Sequence, residues 1–246
     1  MGALNLDQLL KWEPPKVPSI IEKGILYQNT RLILFGKKKS FKSMLAIHTG
    51  FQIALGKPWF GYHTNKRRVL IIQSEIPQFL FRERIIKYTS GNGSKPSNIY
   101  FCYEPYMKLD KGSGLDKFEV MVRQIKPEVV IIDPLYKALS GTIEESRFMN
   151  IFIDNMDRII PKYNLTFIII HHETKDIFGS SGVIDRGSES AHGSMYLLNW
   201  ADSILRIEGN QSGRLEIEFT DMRHAEDELP PIRTQFNRRD LSWTKL

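Results

Sequence analysis

A single cysteine, Cys102, is all the thiol this chain of 246 residues carries. That excludes an internal disulfide, removes any cysteine-based metal spacing, and suits a reducing cytosol. No apolar run approaches the length that crosses a bilayer, so no membrane partner is expected. The opening stretch MGALNLDQLLKWEPPKVPS has neither a basic n-region nor an apolar h-region, so a secretion signal is not expected and a cytoplasmic location is. Internal repeats and long low-complexity tracts are missing too.

What is present reads as an α/β chain. Hydrophobic residues make up 41% and the formal net charge is +6. The first supports a sizeable core; the second favours polyanionic partners without locating them. Apolar runs at 32–35 and 129–132 and the stretches 69–73, 99–103 and 165–170 read as strands, those at 129–132 and 165–170 as strands buried on both faces. Helical stretches lie between them: 44–55, then 78–89 opened by Pro77, then 115–126, then 145–164. Leu115, Phe118, Val122 and Ile125 fall on one helical face, and Pro127 ends that helix. This alternation predicts a mainly parallel sheet with helices on both faces. Residues 203–208, 214–222 and 233–238 alternate and are separated by the turn signals GNQSG and ELPP, so short antiparallel strands are expected at the C-terminal end. Pro14, Pro15 and Pro18 break a short LDQLLKW turn. Residues 1–24 therefore read as an arm that packs along the domain edge or onto a neighbouring subunit, and 25–246 as one domain.

The chain is organised around residues 31–43, RLILFGKKKSFKS. A strand ends at Gly36, a basic loop Lys37-Lys38-Lys39-Ser40-Phe41 follows, and Lys42-Ser43-Met44 opens a helix. Gly36, Lys42 and Ser43 keep the spacing of the phosphate-binding loop G-x-x-x-x-G-K-[ST], with Phe41 where its second glycine stands. A loop entering a helix N-terminus offers free backbone N–H groups and a positive dipole end to phosphate. Lys42 is expected to reach the β- and γ-phosphates of ATP, and the Ser43 hydroxyl to bind Mg²⁺. The competing reading is a basic turn before an ordinary helix. Glycine permits an unusual backbone angle at that second position, so Phe41 is expected to keep a conformation open to L-residues and to reshape the loop.

In a parallel sheet, chemistry gathers at the carboxyl ends of the strands. Asp133 ends VVII and suits the Mg²⁺ carboxylate; the alternative is a cap for the segment from Pro134. Glu75 follows the strand 69–73 and suits the base for an attacking water; the alternatives are an N-cap or an ion pair with Arg82 or Arg84. His172 ends the strand after Asp133's and suits a sensor of the γ-phosphate, against two histidines satisfied near a core. Strand alternation sends His171 and His172 to opposite sides, so one faces inward and the other the site, and the two do not chelate a metal. Arg223 is one of several candidate trans arginines; the residues themselves do not prefer it over Arg186, Arg206 or Arg214. The Gly-rich stretch 173–194 carries Lys175, Arg186 and His192, which suit a nucleic-acid backbone or a solvated loop equally.

The order of these motifs resembles the RecA-like P-loop ATPases of the RepA type, single-domain relatives of the DnaB replicative helicases. The resemblance runs from about Pro18 to Phe236 through LILFGKKKSFKS, ALGKPWFG, RRVLIIQSEI, KPEVVIIDPLYKALSG, IIIHHETKD and HGSMYLLNWADSILRIE. It implies a RecA-like core, a hexameric ring with ATP between subunits, Mg²⁺, and single-stranded DNA in the central channel. By the same resemblance, Lys42 and Ser43 match the phosphate and Mg²⁺ residues and Asp133 the Walker B acid. Glu75 matches the catalytic glutamate, His172 the sensor, and Arg223 the arginine supplied in trans, although Asp221 stands where the family has lysine. Residues 173–191 match the DNA-contacting loop. The resulting expectation is an ATP-hydrolysing, oligomeric DNA motor of a plasmid, phage or other mobile element, with origin recognition left to a replication partner. A regulator or loader that binds ATP and DNA but unwinds little stands second. A small-molecule kinase ranks below both, because no arginine cluster suited to its lid is visible.

Overall fold

Alternating apolar strands and helices build a sheet of nine strands. The computed structural model describes residues 3–13, 17–143, 145–172, 190–210 and 212–246, with the backbone alone for 190–194. Helix α1 (Leu6–Lys11) begins with a reciprocal Asn5–Gln8 capping box and buries none of its residues. A hairpin of β1 (Ser19–Ile21) and β2 (Leu26–Tyr27) follows. Then come β3 (Arg31–Gly36), α2 (Lys42–Leu55), β4 (Val69–Gln73), α3 (Gln78–Asn92), β5 (Ile99–Tyr103), α4 (Gly112–Ile125) and β6 (Val129–Asp133). A 3₁₀ turn over Leu135–Ala138, α5 (Ser146–Tyr163), β7 (Thr166–His172) and α6 (Ser190–Trp200) complete the helical part. Strands β8 (Ser203–Gly209), β9 (Arg214–Met222), β10 (Ile232–Phe236) and β11 (Trp243–Lys245) close the chain.

The sheet order is β11-β10-β9-β8-β3-β7-β6-β4-β5. Every pairing from β8 to β5 is parallel, and those from β8 to β11 are antiparallel. The expected parallel sheet with antiparallel strands at the C-terminal end is therefore present. Burial follows the two-residue period of the strands. Leu32, Leu34, Val69, Ile71, Val129, Ile131, Ile168 and Ile170 pack on the face that carries α2 and the β1–β2 hairpin. Ile33, Phe35, Leu70, Ile72, Val130, Ile132, Phe167 and Ile169 pack on the other, against α4, α5 and α6. Because both faces are covered, these strands read as unbroken apolar runs rather than alternating ones.

Two details fix the ends of β3. Gly36 has φ +154, and a Cβ there would lie 2.3 Å from the Ile207 carbonyl oxygen of β8. No side chain fits where the loop leaves the sheet. At the other end of β3, Arg31 donates through Nε to Asp202 at 2.6 Å, and its backbone N–H donates to the same carboxylate at 2.9 Å. That pair locks the start of β3 to the α6–β8 corner. Residues Ile20, Ile21, Ile25 and Leu26 are fully buried, so the hairpin is part of the core, whereas Leu6, Leu9 and Leu10 of α1 are exposed. The hairpin and β11 escape sequence periodicity because elements of two or three residues complete too little of any period. Among the described residues no helix is long and apolar enough to cross a membrane.

Candidate functional site

The loop between β3 and α2 folds back on its own lysine. Lys42 Nζ donates to the carbonyls of Gly36 and Lys37, each at 2.6 Å, and stands 3.4 Å from Ser40 Oγ. Helix α2 has no side-chain cap at its N-terminus, so its first backbone N–H groups are left for another acceptor. Phe41 corrects one expectation. It adopts φ 64, ψ 19, the left-handed conformation associated with glycine, instead of an ordinary L-residue conformation. The physical reason is tertiary: the Phe41 ring packs 4.7 Å from Phe236 of β10, and the Arg238 guanidinium lies 4.9 Å over it. Left-handed backbone costs an L-residue about 1–2 kcal/mol, which half-burial of an aromatic ring offsets.

The end of β6 meets the first turn of α2. Ser43 Oγ donates to Asp133 Oδ1 at 3.1 Å. Asp133 is buried, and burial pushes its carboxyl up to about 6, against the pull of the Ser43 hydrogen bond. The 3₁₀ turn after Pro134 has no side-chain cap, so the capping alternative for Asp133 is not what the side chain does. A hydroxyl and a carboxylate oxygen this close are a hard-oxygen pair of the kind Mg²⁺ takes, with the remaining positions left to phosphate and water.

Glu75 lies just past β4. Its backbone N–H donates to the Gln73 side chain at 2.6 Å, and its carboxylate accepts from the Tyr136 hydroxyl at 3.2 Å. It does not cap α3, whose N-cap is Pro77, and among the described residues it makes no ion pair with Arg82 or Arg84. His172, half-buried, sits with its ring 5.8 Å from that of Tyr136. His171 departs from the simple alternation. Although buried, it lines the same cavity as His172, because the cavity wraps over the strand end and takes side chains from both faces. Burial holds His171 down to about 4, and among the described residues neither ring nitrogen has a hydrogen-bond partner.

One cavity of about 1070 Å³ gathers these residues. Lys38, Lys39, Ser40, Phe41, Lys42, Ser43, Met44, Glu75 and His172 all line it, and Asp133 joins through its bond to Ser43. Arg223 does not. It is exposed at the end of β9, where its side chain donates to the Asn199 carbonyl and its backbone N–H to the Asp202 carbonyl at 3.0 Å. Arg206 pairs with Glu208 and with Glu218 within β8 and β9. Lys175, Arg186 and the side chain of His192 lie outside the described residues. Among the described residues no cluster of three or more His, Cys, Asp or Glu forms a metal site. The sequence reading missed Gln73, Tyr136, Phe236 and Arg238. Gln73 carried the signal of a strand end two residues before Glu75, and Tyr136 that of a place three residues after Asp133; Phe236 and Arg238 arrive from the far end of β10, about 200 residues along the chain from the loop they brace.

No curated protein matches the sequence. Among solved structures, the KaiC-like protein PH0186 of the hyperthermophilic archaeon Pyrococcus horikoshii OT3 superposes with a TM-score of 0.62 at 13% identity, covering 95% of this chain and all of that one. At that identity the likeness speaks for the fold alone, and the fold is RecA-like. The family model described as AAA domain matches residues 3–177. That span holds the phosphate loop, Glu75, Asp133 and His172 together, and the chain belongs to the AAA domain family of ATPases.

Proposed function

We propose that this chain is an ATP-hydrolysing, oligomeric DNA-binding motor of the RepA-type replicative helicase kind. The observation that carries the nucleotide part is the meeting of Lys42, Ser43, Glu75 and His172 around one cavity, with Asp133 bonded to Ser43 beneath it. The loop from Gly36 to Met44 receives the phosphates through backbone N–H groups, and Lys42 exchanges its bonds to the Gly36 and Lys37 carbonyls for phosphate oxygens. Ser43 and Asp133 hold Mg²⁺, which supplies neutralisation of phosphate charge when bound. Glu75 takes a proton from the water that attacks the γ-phosphorus, leaving ADP and inorganic phosphate. His172 meets the γ-phosphate and passes its loss to the segment 173–191, the DNA-contacting loop with Lys175 and Arg186. Arg223, remote from its own cavity, serves a neighbouring subunit's nucleotide in a ring, hexameric by the family resemblance.

ATP hydrolysis by the intact chain and by Lys42→Ala, each with and without single-stranded DNA, tests this reading. Stimulation by DNA and near-complete loss in the variant are expected. Unchanged turnover in Lys42→Ala removes the lysine from its role. ATP-dependent DNA binding without strand separation puts the regulator or loader in place of the motor.

A further inference from the structure

Tyr136 touches two of the strand-end residues that surround the cavity and belongs to neither of their strands. It stands in the 3₁₀ turn directly beyond Asp133 and Pro134. Its hydroxyl donates to Glu75 Oε1 at 3.2 Å, and its ring lies 5.8 Å from that of His172 at an interplanar angle of 51°. Glu75 is therefore held at both ends. Gln73 fixes its backbone N–H at 2.6 Å, and Tyr136 fixes its carboxylate. Glu75 is exposed and has three freely rotating side-chain bonds, so without a partner its carboxylate would sample many positions. A base works only within hydrogen-bond reach of the proton it takes, and a misplacement of about 1 Å costs orders of magnitude in rate.

The turn does not need this side chain for its own stability. Leu135 and Ala138 are buried, the Lys137 carbonyl accepts from Lys108 Nζ at 2.6 Å, and the Ala138 carbonyl accepts from the Leu109 N–H at 2.7 Å. Tyr136 is 37% exposed and lines the cavity beside Glu75 and His172. Burial, with the Glu75 charge next, pushes its phenol up to about 12, so it remains a donor across the neutral range.

We propose that Tyr136 is a positioning residue for hydrolysis: it holds the Glu75 carboxylate in the cavity and, through its ring contact, ties that orientation to the position of His172. The inference rests on the ATPase reading above and adds to it a residue that orients the base. Strand ends β4 and β7 are two strands apart in the sheet, and Tyr136 spans the gap from the end of β6 between them.

Steady-state ATP hydrolysis by the full chain, together with the affinity for a fluorescent non-hydrolysable ATP analogue, tests it. Tyr136→Phe keeps the ring and removes the hydroxyl. A fall in kcat of about tenfold is expected, the scale of one charge-assisted hydrogen bond, with KM and analogue affinity unchanged within about twofold. Combined with His172→Ala, Tyr136→Phe should reduce kcat by less than the product of the two separate factors. Wild-type kcat in Tyr136→Phe, or parallel losses of kcat and analogue affinity, overturns the positioning role. A multiplicative double variant overturns the tie to His172. Lys42→Ala separates the two levels of inference. If it is inactive while Tyr136→Phe is normal, Tyr136 alone is misassigned. If it hydrolyses ATP normally, the underlying ATPase site is wrong and the Tyr136 role falls with it. Circular dichroism melting of Tyr136→Phe against the parent chain excludes a folding defect.

Discussion

The rings of Phe41 and Phe236 stand 4.7 Å apart, one in the phosphate loop and the other at the end of an antiparallel strand near the C-terminus. Through this contact the C-terminal strands brace the loop, and the left-handed backbone of Phe41 is sustained from outside the loop itself.

Substitution at Phe41 separates the two contributions. Phe41→Ala keeps the strained backbone and loses the ring; about 2 kcal/mol of destabilisation is expected. Phe41→Gly also loses the ring but relieves the strain, so it should be more stable than the alanine variant by about 1 kcal/mol. Urea unfolding of both variants decides the order. An alanine variant at least as stable as the glycine one means that the loop relaxes out of the left-handed region.

Asp133 carries a cost that the proposed Mg²⁺ role accounts for. Its carboxyl titrates near 6, above the ordinary value of 3.8, chiefly because it is buried. Between those values the folded state binds the extra proton, so this residue's contribution to stability falls as pH rises from about 4 to about 6 and stays lost above that. Asp133→Asn should therefore be more stable than the parent at pH 7.5, by roughly 1–3 kcal/mol, while losing Mg²⁺-dependent ATP hydrolysis. Differential scanning calorimetry at pH 4 and pH 7.5 checks both arms: the gain should shrink at the lower pH.

Two buried histidines act in the opposite direction. His48 hydrogen-bonds Tyr88 at 2.9 Å and burial holds it down to about 3; burial likewise holds His171 near 4, both below the usual 6.5. Below pH 6.5 the unfolded chain takes up protons that these folded side chains refuse, so their contributions to stability fall as pH drops from about 6.5 towards 4 and are complete above 6.5. His171→Leu also removes two buried ring nitrogens that have no partner among the described residues, so at pH 7 it should be neutral or up to about 1 kcal/mol more stable. Its stability should depend less steeply on pH between 4 and 6.5 than that of the parent. Denaturant midpoints across that range test the slope.

The Arg31–Asp202 pair has a purely structural prediction. Burial works against the Asp202 charge, but the hydrogen bonds from Arg31 outweigh it and keep the carboxyl below its usual range. Asp202→Ala leaves Arg31, only 20% exposed at the side chain, without that partner at the base of β3. A loss of about 3 kcal/mol is expected. A loss under about 1 kcal/mol would mean that Asp157, 3.3 Å from the guanidinium, takes over the pairing.

The legible part of this protein is local. The runs at 69–73 and 129–132 needed only their apolar composition and flanking breakers to declare strands, the second of them central, and Gly36, Lys42 and Ser43 needed only their spacing to declare a phosphate loop. Side-chain direction in a strand follows from parity, so the placement of Glu75, Asp133 and His172 near one rim was predictable once the strands were parallel. What parity and spacing do not contain is partnership across long separations in the chain. The left-handed Phe41, the hand-over of the Glu75 carboxylate to Tyr136, and the burial of His171 beside His172 all depend on which turns the fold brings together. A backbone angle or a hydrogen bond of that kind is decided by packing free energy summed over the whole domain, so it became visible only when the tertiary structure closed around the cavity.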